Sequence, residues 1–362
     1  MTLSPVFRSP QAVQLLAEEG VWSRLASDIE AQAEAVRAVH MDFEDVIDGS
    51  FRKSSSPSLP TLEVTTSEGL SFLQEYFFLI LFRSIFRSLG VEKRRLQAYA
   101  ELNFCIKGTI TAADNIFDDQ SKKLLPLAPT SGSRFMSILQ LMSFERLARS
   151  VLDRAVAASV IERGSVLTIQ RALMDRMAEI GALEGSEEGG VDVIPTPEEM
   201  LDRVHRVRGG SLFALAFEAP LVLEQGDLRG RISVAEKAVT RLGTAFQIVD
   251  DLTDFEFDIA RRSHNLLVSQ VHHMGTEKEQ LALAGIWESG LCPDGTVEET
   301  FADSARKVLQ LAYVEARASF KSLQDLGYWF EHSWADQVVH AIVGLEGVSR
   351  MQALTGDGEA GD

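Results

Sequence analysis

The chain has 362 residues, 45% of them hydrophobic, which is enough to bury a large core. Its formal net charge of −18 argues against nucleic acid or an anionic membrane surface as a partner, because both need a basic face. Two cysteines, Cys105 and Cys292, offer no disulfide framework and suit a reducing cytosol. No basic segment leads into an apolar run at the N-terminus, so we expect a cytoplasmic protein without a signal peptide.

Apolar residues recur at helical spacing along most of the chain, and strict alternation over the length of a strand is nowhere evident. Gly20 separates the first two predicted helices. The most hydrophobic segment, residues 76–86, is interrupted by Arg83 and is shorter than the roughly 20 residues that cross a bilayer. We therefore interpret it as a buried helix and predict no membrane span. The pattern predicts helices over residues 10–48, 67–89, 91–119, 134–160, 161–183, 196–223, 233–261, 276–289, 297–325 and 329–354.

No internal repeat of fixed period is present, which favours one all-α domain of about ten to twelve helices. Residues 1–66 form its N-terminal helices and a Ser/Pro/Gly loop at 49–60. Residues 67–354 form the core, and residues 355–362 form a disordered tail rich in Gly and acids.

Two acidic clusters stand out. In the second, Asp250, Asp254 and Asp258 recur every four residues, so they share one face of a helix, where like charges repel. A solvated acidic face is the alternative, but the interleaved apolar residues leave few positions facing solvent. Mg²⁺ takes one or two carboxylates together with phosphate oxygens, so this face is a candidate metal site.

The first cluster contains Asp114, Asp118 and Asp119, with the same four-residue step. Alone, such a cluster is typical of a solvated helix end. Two carboxylate faces in one chain favour the metal interpretation, because hard cations held between them can bind a diphosphate.

These segments resemble the trans-isoprenyl diphosphate synthases over roughly residues 67–270. Phe246–Asp254 resembles their second aspartate-rich motif, including the Phe-Gln in front. Asp114–Asp118 resembles the first motif, DDxxD, with Asn115 in the second place. Pro197–Phe213 resembles the helix that ends in Lys-Thr-Gly-Ala-Leu-Phe.

The resemblance implies the all-α isoprenoid synthase fold, a central cavity, and three Mg²⁺ ions that clamp the diphosphate of an allylic prenyl substrate. It assigns two ions to the first cluster and the third to Asp250, Asp254 and Asp258. The candidate substrate contacts are Arg208, Lys122, Lys123, Arg262, Phe246 and Gln247. For Lys122 and Lys123 the alternative is a solvated pair of lysines, and for Arg262 it is a cation that stabilises a helix end.

The sequence departs from the chain-elongating members of that family. Their Gly-Gly-Lys-x-x-Arg segment corresponds to Ser67–Ser71, which has no cation. They also carry Arg-Arg after the first motif, where the nearest basic residues of this chain are Lys122 and Lys123. Arg208 replaces the lysine of Lys-Thr, and the two side chains differ in geometry. Arg208 belongs to the allylic diphosphate site, whereas the missing Gly-Gly-Lys-x-x-Arg and Arg-Arg cations belong to the isopentenyl diphosphate site. Their loss favours terpene synthase-like cyclisation or elimination of a C15–C20 or longer substrate. The alternatives are chain elongation, a non-catalytic partner subunit and a helical scaffold. The family is commonly dimeric, which implies a homodimer.

Overall fold

The computed structural model describes residues 13, 20–53, 67–117, 120–128, 132–331, 334–341, 350 and 354. These residues form helices and loops, and they contain no strand beyond an isolated antiparallel bridge between Arg52 and Leu127. The all-α prediction is confirmed for them. The chain divides into two compact units, and the division into a core and terminal segments stays a prediction.

The first unit includes residues 20–172 and 215–232. Its first helix begins directly after Gly20, whose φ of 65° is accessible to glycine, and its second ends at Gly90, whose φ is 95°. The second helix has the predicted bounds. The helices are α1 (Val21–Val46), α2 (Ser67–Leu89), α3 (Lys93–Phe117), α4 (Ser133–Ala157), the first part of α5 (Arg163–Gly185), α7 (Glu218–Leu223) and the start of α8 (Gly226–Thr253).

The core of the first unit is aromatic. Phe86 of α2 packs edge-on against Phe217, with ring centroids 4.7 Å apart, and Phe104 of α3 packs against Phe144 of α4 at 5.5 Å. Residues 68–89 are long and apolar enough to cross a membrane, but 67% of that stretch is buried inside the protein. The interpretation of α2 as a core helix accounts for its hydropathy.

The second unit includes residues 173–214 and the described residues from 233 onward. Thr196 caps the three-residue helix α6 (Pro197–Glu199) with a capping box, as the predicted helix start requires. The chain then continues as a π-helix, Met200–Ser211, where an α-helix was predicted. The π-helix is followed by a short α-helical segment, Leu212–Ala214. The other helices of this unit are α9 (Phe255–Arg261), α10 (Leu266–Met274), α11 (Glu277–Ser289), α12 (Thr296–Glu299), α13 (Ala302–Asp325) and α14 (Ala335–Ala341).

The predicted helix over 233–261 is two helices, because Asp254 departs from helical geometry with φ −99° and ψ 15°. Helix α10 lies inside the second unit, packed against α13, α11 and the π-helix. All of its residues from Leu266 to Val271 are buried. This packing fixes the end of α8 and the start of α9, where the second acidic cluster lies.

Candidate active site

The second acidic cluster lies where α8 passes into α9. The amide of Asp254 donates to the carbonyl of Asp250 at 2.8 Å, and the amide of Asp258 donates to that of Asp254 at 2.9 Å. Helical hydrogen bonding therefore continues through the join and places the three carboxylates one turn apart on the same side. We call these three residues the acidic face. Asp254 is exposed, and Asp250 and Asp258 are half-buried.

The acidic face resists full ionisation. The pKa of Asp250 is raised to about 8, first by burial and then by the charges of Asp254 and Asp251. Burial also raises the pKa of Asp258, with the charge of Asp251 as the next cause. Carboxylates in this state gain from a divalent cation, which neutralises the repulsion and favours the ionised forms.

The carboxylate oxygens of the acidic face are the type of ligand that Mg²⁺ prefers. Mg²⁺ accepts oxygen ligands and needs only one or two carboxylates when substrate phosphates and water complete its octahedron. Asp250 and Asp254, one turn apart, supply such a pair. No group of three or more His, Cys, Asp or Glu side chains within the described part of the chain is arranged to hold a metal ion by itself. The assignment of Mg²⁺ to these residues therefore stays a prediction.

Asp251 has a different environment from its neighbour Asp250. It is 1% exposed, and its Oδ2 accepts the amide N–H of Leu266 at 2.5 Å. Nε2 of the fully buried His205 lies 2.9 Å from the same oxygen. The side chain of Asn265 donates to the Asp251 carbonyl at 2.7 Å and to the Asp258 carboxylate at 2.9 Å. Asp251 thus fastens the start of α10 to the end of α8, and the acidic face is built on that attachment.

Two glycines bring the π-helix against α8. A Cβ atom on Gly209 would lie 2.3 Å from the carbonyl oxygen of Gly243, and one on Gly243 would lie 2.2 Å from that of Gly209. Only glycine permits this approach of two backbones. It brings His205 to Asp251 and places Arg208 on the same side of the second unit as the acidic face.

Arg208, the candidate diphosphate ligand, is largely buried and paired with two carboxylates. Its Nε donates to Oε1 of Glu184 at 2.6 Å, and its Nη2 donates to Glu187. Burial alone would lower the pKa of Arg208, but Glu184, Glu187 and Asp251 together raise it. The guanidinium is therefore a permanent cation, and its position is fixed by the hydrogen bonds to Glu184 and Glu187.

Glu187 also holds His264, a contact that the sequence did not indicate. Nδ1 of His264 lies 2.6 Å from Oε1 of Glu187, and the His264 amide donates to Oε2 at 3.2 Å. The two residues are 77 positions apart, so no local motif links them.

The Phe-Gln pair before the acidic face has protein contacts of its own. Nε2 of Gln247 donates to Asp250 at 3.2 Å and to Asp251 at 3.3 Å, so this amide orients both carboxylates. Phe246 lies beside Phe213, with ring centroids 5.9 Å apart. Their predicted substrate contacts stay predictions.

Arg262 ends α9 in the left-handed conformation, with φ 56°. Its guanidinium lies over the ring of Trp287 at 5.3 Å, and its carbonyl accepts the Val191 amide at 2.8 Å. The side chain is exposed. Its contact with diphosphate stays a prediction.

The first acidic cluster belongs to the first unit. Asp114 is exposed near the C-terminal end of α3, whereas Asp118 and Asp119 lie outside the described residues. Asn115 is buried, and its side chain clamps the following loop. Its Nδ2 donates to the carbonyl of Lys122 at 2.8 Å, and its Oδ1 accepts the Lys122 amide at 3.0 Å. The Asn in place of the second motif aspartate thus has a structural role.

A cavity of about 210 Å³ opens beside this loop in the first unit. Gln140 fixes the loop backbone, since its Oε1 accepts the Leu124 amide at 2.9 Å and its Nε2 donates to the Lys122 carbonyl at 3.2 Å. The cavity is lined by Lys122, Lys123, Ser121, Ser133 and Ser137, among others. Two lysines and three hydroxyls suit an anionic ligand.

No protein-family model matches the sequence, and no curated protein matches it significantly. Solved structures do match. The decaprenyl diphosphate synthase from Rhodobacter capsulatus is similar with a TM-score of 0.59 at 17% identity, over 91% of this chain and 99% of that one. The octaprenyl pyrophosphate synthase from Helicobacter pylori has a TM-score of 0.59 at 14% identity, over 85% and 98%.

A polyprenyl synthase from Caulobacter crescentus, in complex with calcium and isoprenyl diphosphate, matches with a TM-score of 0.51 at 14% identity. The match covers 92% of this chain and 95% of that one. The chain therefore has the fold of the trans-prenyl diphosphate synthases, and the fold that the aspartate motifs implied is confirmed.

Proposed function

We propose that this chain is a Mg²⁺-dependent trans-prenyltransferase that ionises an allylic prenyl diphosphate and extends it with isopentenyl diphosphate. The acidic face beside the buried cation Arg208 is the observation that carries the proposal. The fold supports elongation over the cyclisation that the missing cations favoured, since the matching structures are named as prenyl diphosphate synthases and are covered almost end to end.

Asp250 and Asp254 would hold Mg²⁺, with Asp258 as a third oxygen donor on the same side. Asp114, Asp118 and Asp119 are proposed as the ligands of two further ions. When bound, the metal supplies Lewis-acid stabilisation of the charge on the departing diphosphate. One polyprenyl synthase of this fold was solved with calcium and isoprenyl diphosphate, which supports cation-assisted diphosphate binding here.

The protein's own groups bind and orient the substrate. Arg208 presents a permanent cation to the diphosphate, and Gln247 holds the Asp250 carboxylate in place. Lys122 and Lys123 line a cavity that suits a second anionic group, so they can hold isopentenyl diphosphate where the related enzymes use an arginine pair.

The test is incubation with Mg²⁺ and geranyl, farnesyl or geranylgeranyl diphosphate, with and without isopentenyl diphosphate, followed by mass analysis. We expect a longer prenyl diphosphate only when isopentenyl diphosphate is present. A hydrocarbon or alcohol formed without it would replace elongation by cyclisation. Absence of turnover together with absence of metal-dependent diphosphate binding would point to a partner subunit.

We also propose a homodimer that uses an apolar face of the first unit. Phe135, Ile138 and Met142 are 49%, 46% and 60% exposed, and their spacing puts them on one side of α4. Leu167, at the start of α5, is 64% exposed. Exposed apolar side chains grouped on one helix face mark association sites. Light scattering should show a dimer that Ile138→Glu converts to a monomer, while Met41→Glu, at an exposed apolar residue of α1, leaves it intact.

A further inference from the structure

Glu187 connects two separate parts of the second unit. Its Oε1 accepts from Nη2 of Arg208 on the π-helix and lies 2.6 Å from Nδ1 of His264, which follows α9. Only 8% of its side chain is exposed. Burial alone would raise the pKa of Glu187, but the His264 hydrogen bond and the Arg208 charge outweigh it and lower that pKa. Glu187 therefore remains an anion, and a single carboxylate sets the distance between Arg208 and His264.

The backbone around Glu187 is fastened in turn. Gly189 and Gly190 have φ angles of 90° and 92°, and the Val191 amide donates to the carbonyl of Arg262 at 2.8 Å. A Cβ on Gly190 would lie 3.0 Å from Cβ of Arg262, so the loop lies directly on the segment that follows the acidic face. Glu187 is thus held by its loop as well as by its side-chain contacts.

Arg208 lies between two sets of carboxylates. Its Nε donates to Glu184 and its Nη2 donates to Glu187, and its positive charge offsets part of the rise in the pKa of Asp250. The guanidinium is attracted to the acidic face by the same force that attracts a metal ion. Without the contacts to Glu184 and Glu187, Arg208 would move towards Asp250 and compete there with Mg²⁺. With them, Nη1 is the donor group that makes no hydrogen bond within the described part of the chain.

We propose that Glu187 is a positioning residue that holds Arg208 away from Asp250, which leaves the carboxylate to the metal and Nη1 to the diphosphate. This role rests on the proposed function, since it needs Mg²⁺ and a diphosphate at the acidic face. Glu187 touches neither of them and acts through Arg208.

The test is calorimetric titration of the full chain with inorganic pyrophosphate at a series of Mg²⁺ concentrations. Glu187→Gln should weaken pyrophosphate binding about tenfold, which corresponds to the loss of a charge-assisted hydrogen bond, and should raise the half-saturating Mg²⁺ concentration several-fold. Glu188→Gln, at an exposed residue of the same loop, should behave as the wild type. The double variant Glu187→Gln/Arg208→Met should return the Mg²⁺ requirement towards that of the wild type, because the competing cation is gone.

A purely structural role would lower the thermal midpoint of Glu187→Gln and leave its Mg²⁺ dependence unchanged, which would overturn the proposal. Tighter pyrophosphate binding would also overturn it, because Glu187 would then be a competitor of the ligand.

If Glu187→Gln does not fold, Glu184→Gln removes the other contact of Arg208 and should shift the Mg²⁺ dependence in the same direction. If the wild type turns over prenyl diphosphates and Glu187→Gln binds Mg²⁺ and pyrophosphate as the wild type does, this inference is wrong and the proposed function stands. A wild type that neither turns over nor binds Mg²⁺-pyrophosphate defeats the proposed function and this inference with it.

Discussion

Gly209 and Gly243 meet backbone to backbone, so that a Cβ on either residue would lie within 2.3 Å of the carbonyl oxygen of the other. This contact allows the π-helix to approach α8 and to carry Arg208 to the side of the acidic face. π-helical turns are rare and are frequently found at functional sites, which agrees with this placement.

Gly243→Ala should therefore separate the two helices. We expect a loss of about 1–3 kcal/mol in the free energy of unfolding, because the methyl group must displace backbone rather than a flexible side chain. Gly230→Ala is the matched control on α8, since nothing lies within 4 Å of its Cβ position. That variant should gain about 0.5–1 kcal/mol from helix propensity. Urea denaturation measures both, and equal stability of the two variants would contradict the packing argument.

The neighbours Asp250 and Asp251 should respond oppositely to the same substitution. Asp250→Asn removes a proposed metal ligand, so it should abolish turnover. Because that carboxylate is repelled by its neighbours, the variant should be as stable as the wild type or more stable. Asp251→Asn replaces one of two acceptor oxygens by an NH2 group, so either the Leu266 amide or the Gln247 side chain loses its acceptor, and the change should cost about 1.5–3 kcal/mol of stability. Turnover assays and denaturation of the two variants test this, and full activity in Asp250→Asn would defeat the metal assignment.

That contrast shows what the sequence could and could not predict. The four-residue step of Asp250, Asp254 and Asp258 was enough to predict a shared face, because helix periodicity is local. No local sequence pattern identifies Asp251 as the residue that holds the start of α10, or predicts that Glu187 contacts Arg208 and His264. These contacts join residues that are distant in the sequence, so they depend on the tertiary fold. The π-helix was also missed, because the capping box at Thr196 marks where a helix begins and not how tightly it winds.

The stability of the metal-free protein should depend on pH through Asp250. Its pKa in the folded state is about 8, above the ordinary value of 3.8, so the folded state binds a proton that the unfolded chain has released. This contribution is present at low pH and is lost as the pH rises towards about 8. We expect the free energy of unfolding to fall by about 2 kcal/mol between pH 6 and pH 8.

Asp250→Asn should remove that part of the pH dependence, and Mg²⁺ should stabilise the wild type more at pH 8 than at pH 6, because the metal competes with the proton. Denaturation at the two pH values, with Mg²⁺ and with a chelator, measures both effects. A pH profile that is unchanged in Asp250→Asn would show that other groups are responsible.

Asn115→Asp would restore the full first motif, yet we expect it to damage the protein. The Asn115 amide donates to the Lys122 carbonyl at 2.8 Å, and a carboxylate there would place two acceptors against each other. The side chain is 3% exposed, so water cannot relieve the contact, and we expect a loss of about 1–3 kcal/mol. Hydrogen exchange should increase in residues 120–128, whose backbone this clamp holds. Asp114→Asn, at the exposed neighbour, should instead lower turnover and leave exchange in that loop unchanged. If Asn115→Asp raised activity without a loss of stability, the residue would be a metal-ligand position and its structural role here would be wrong.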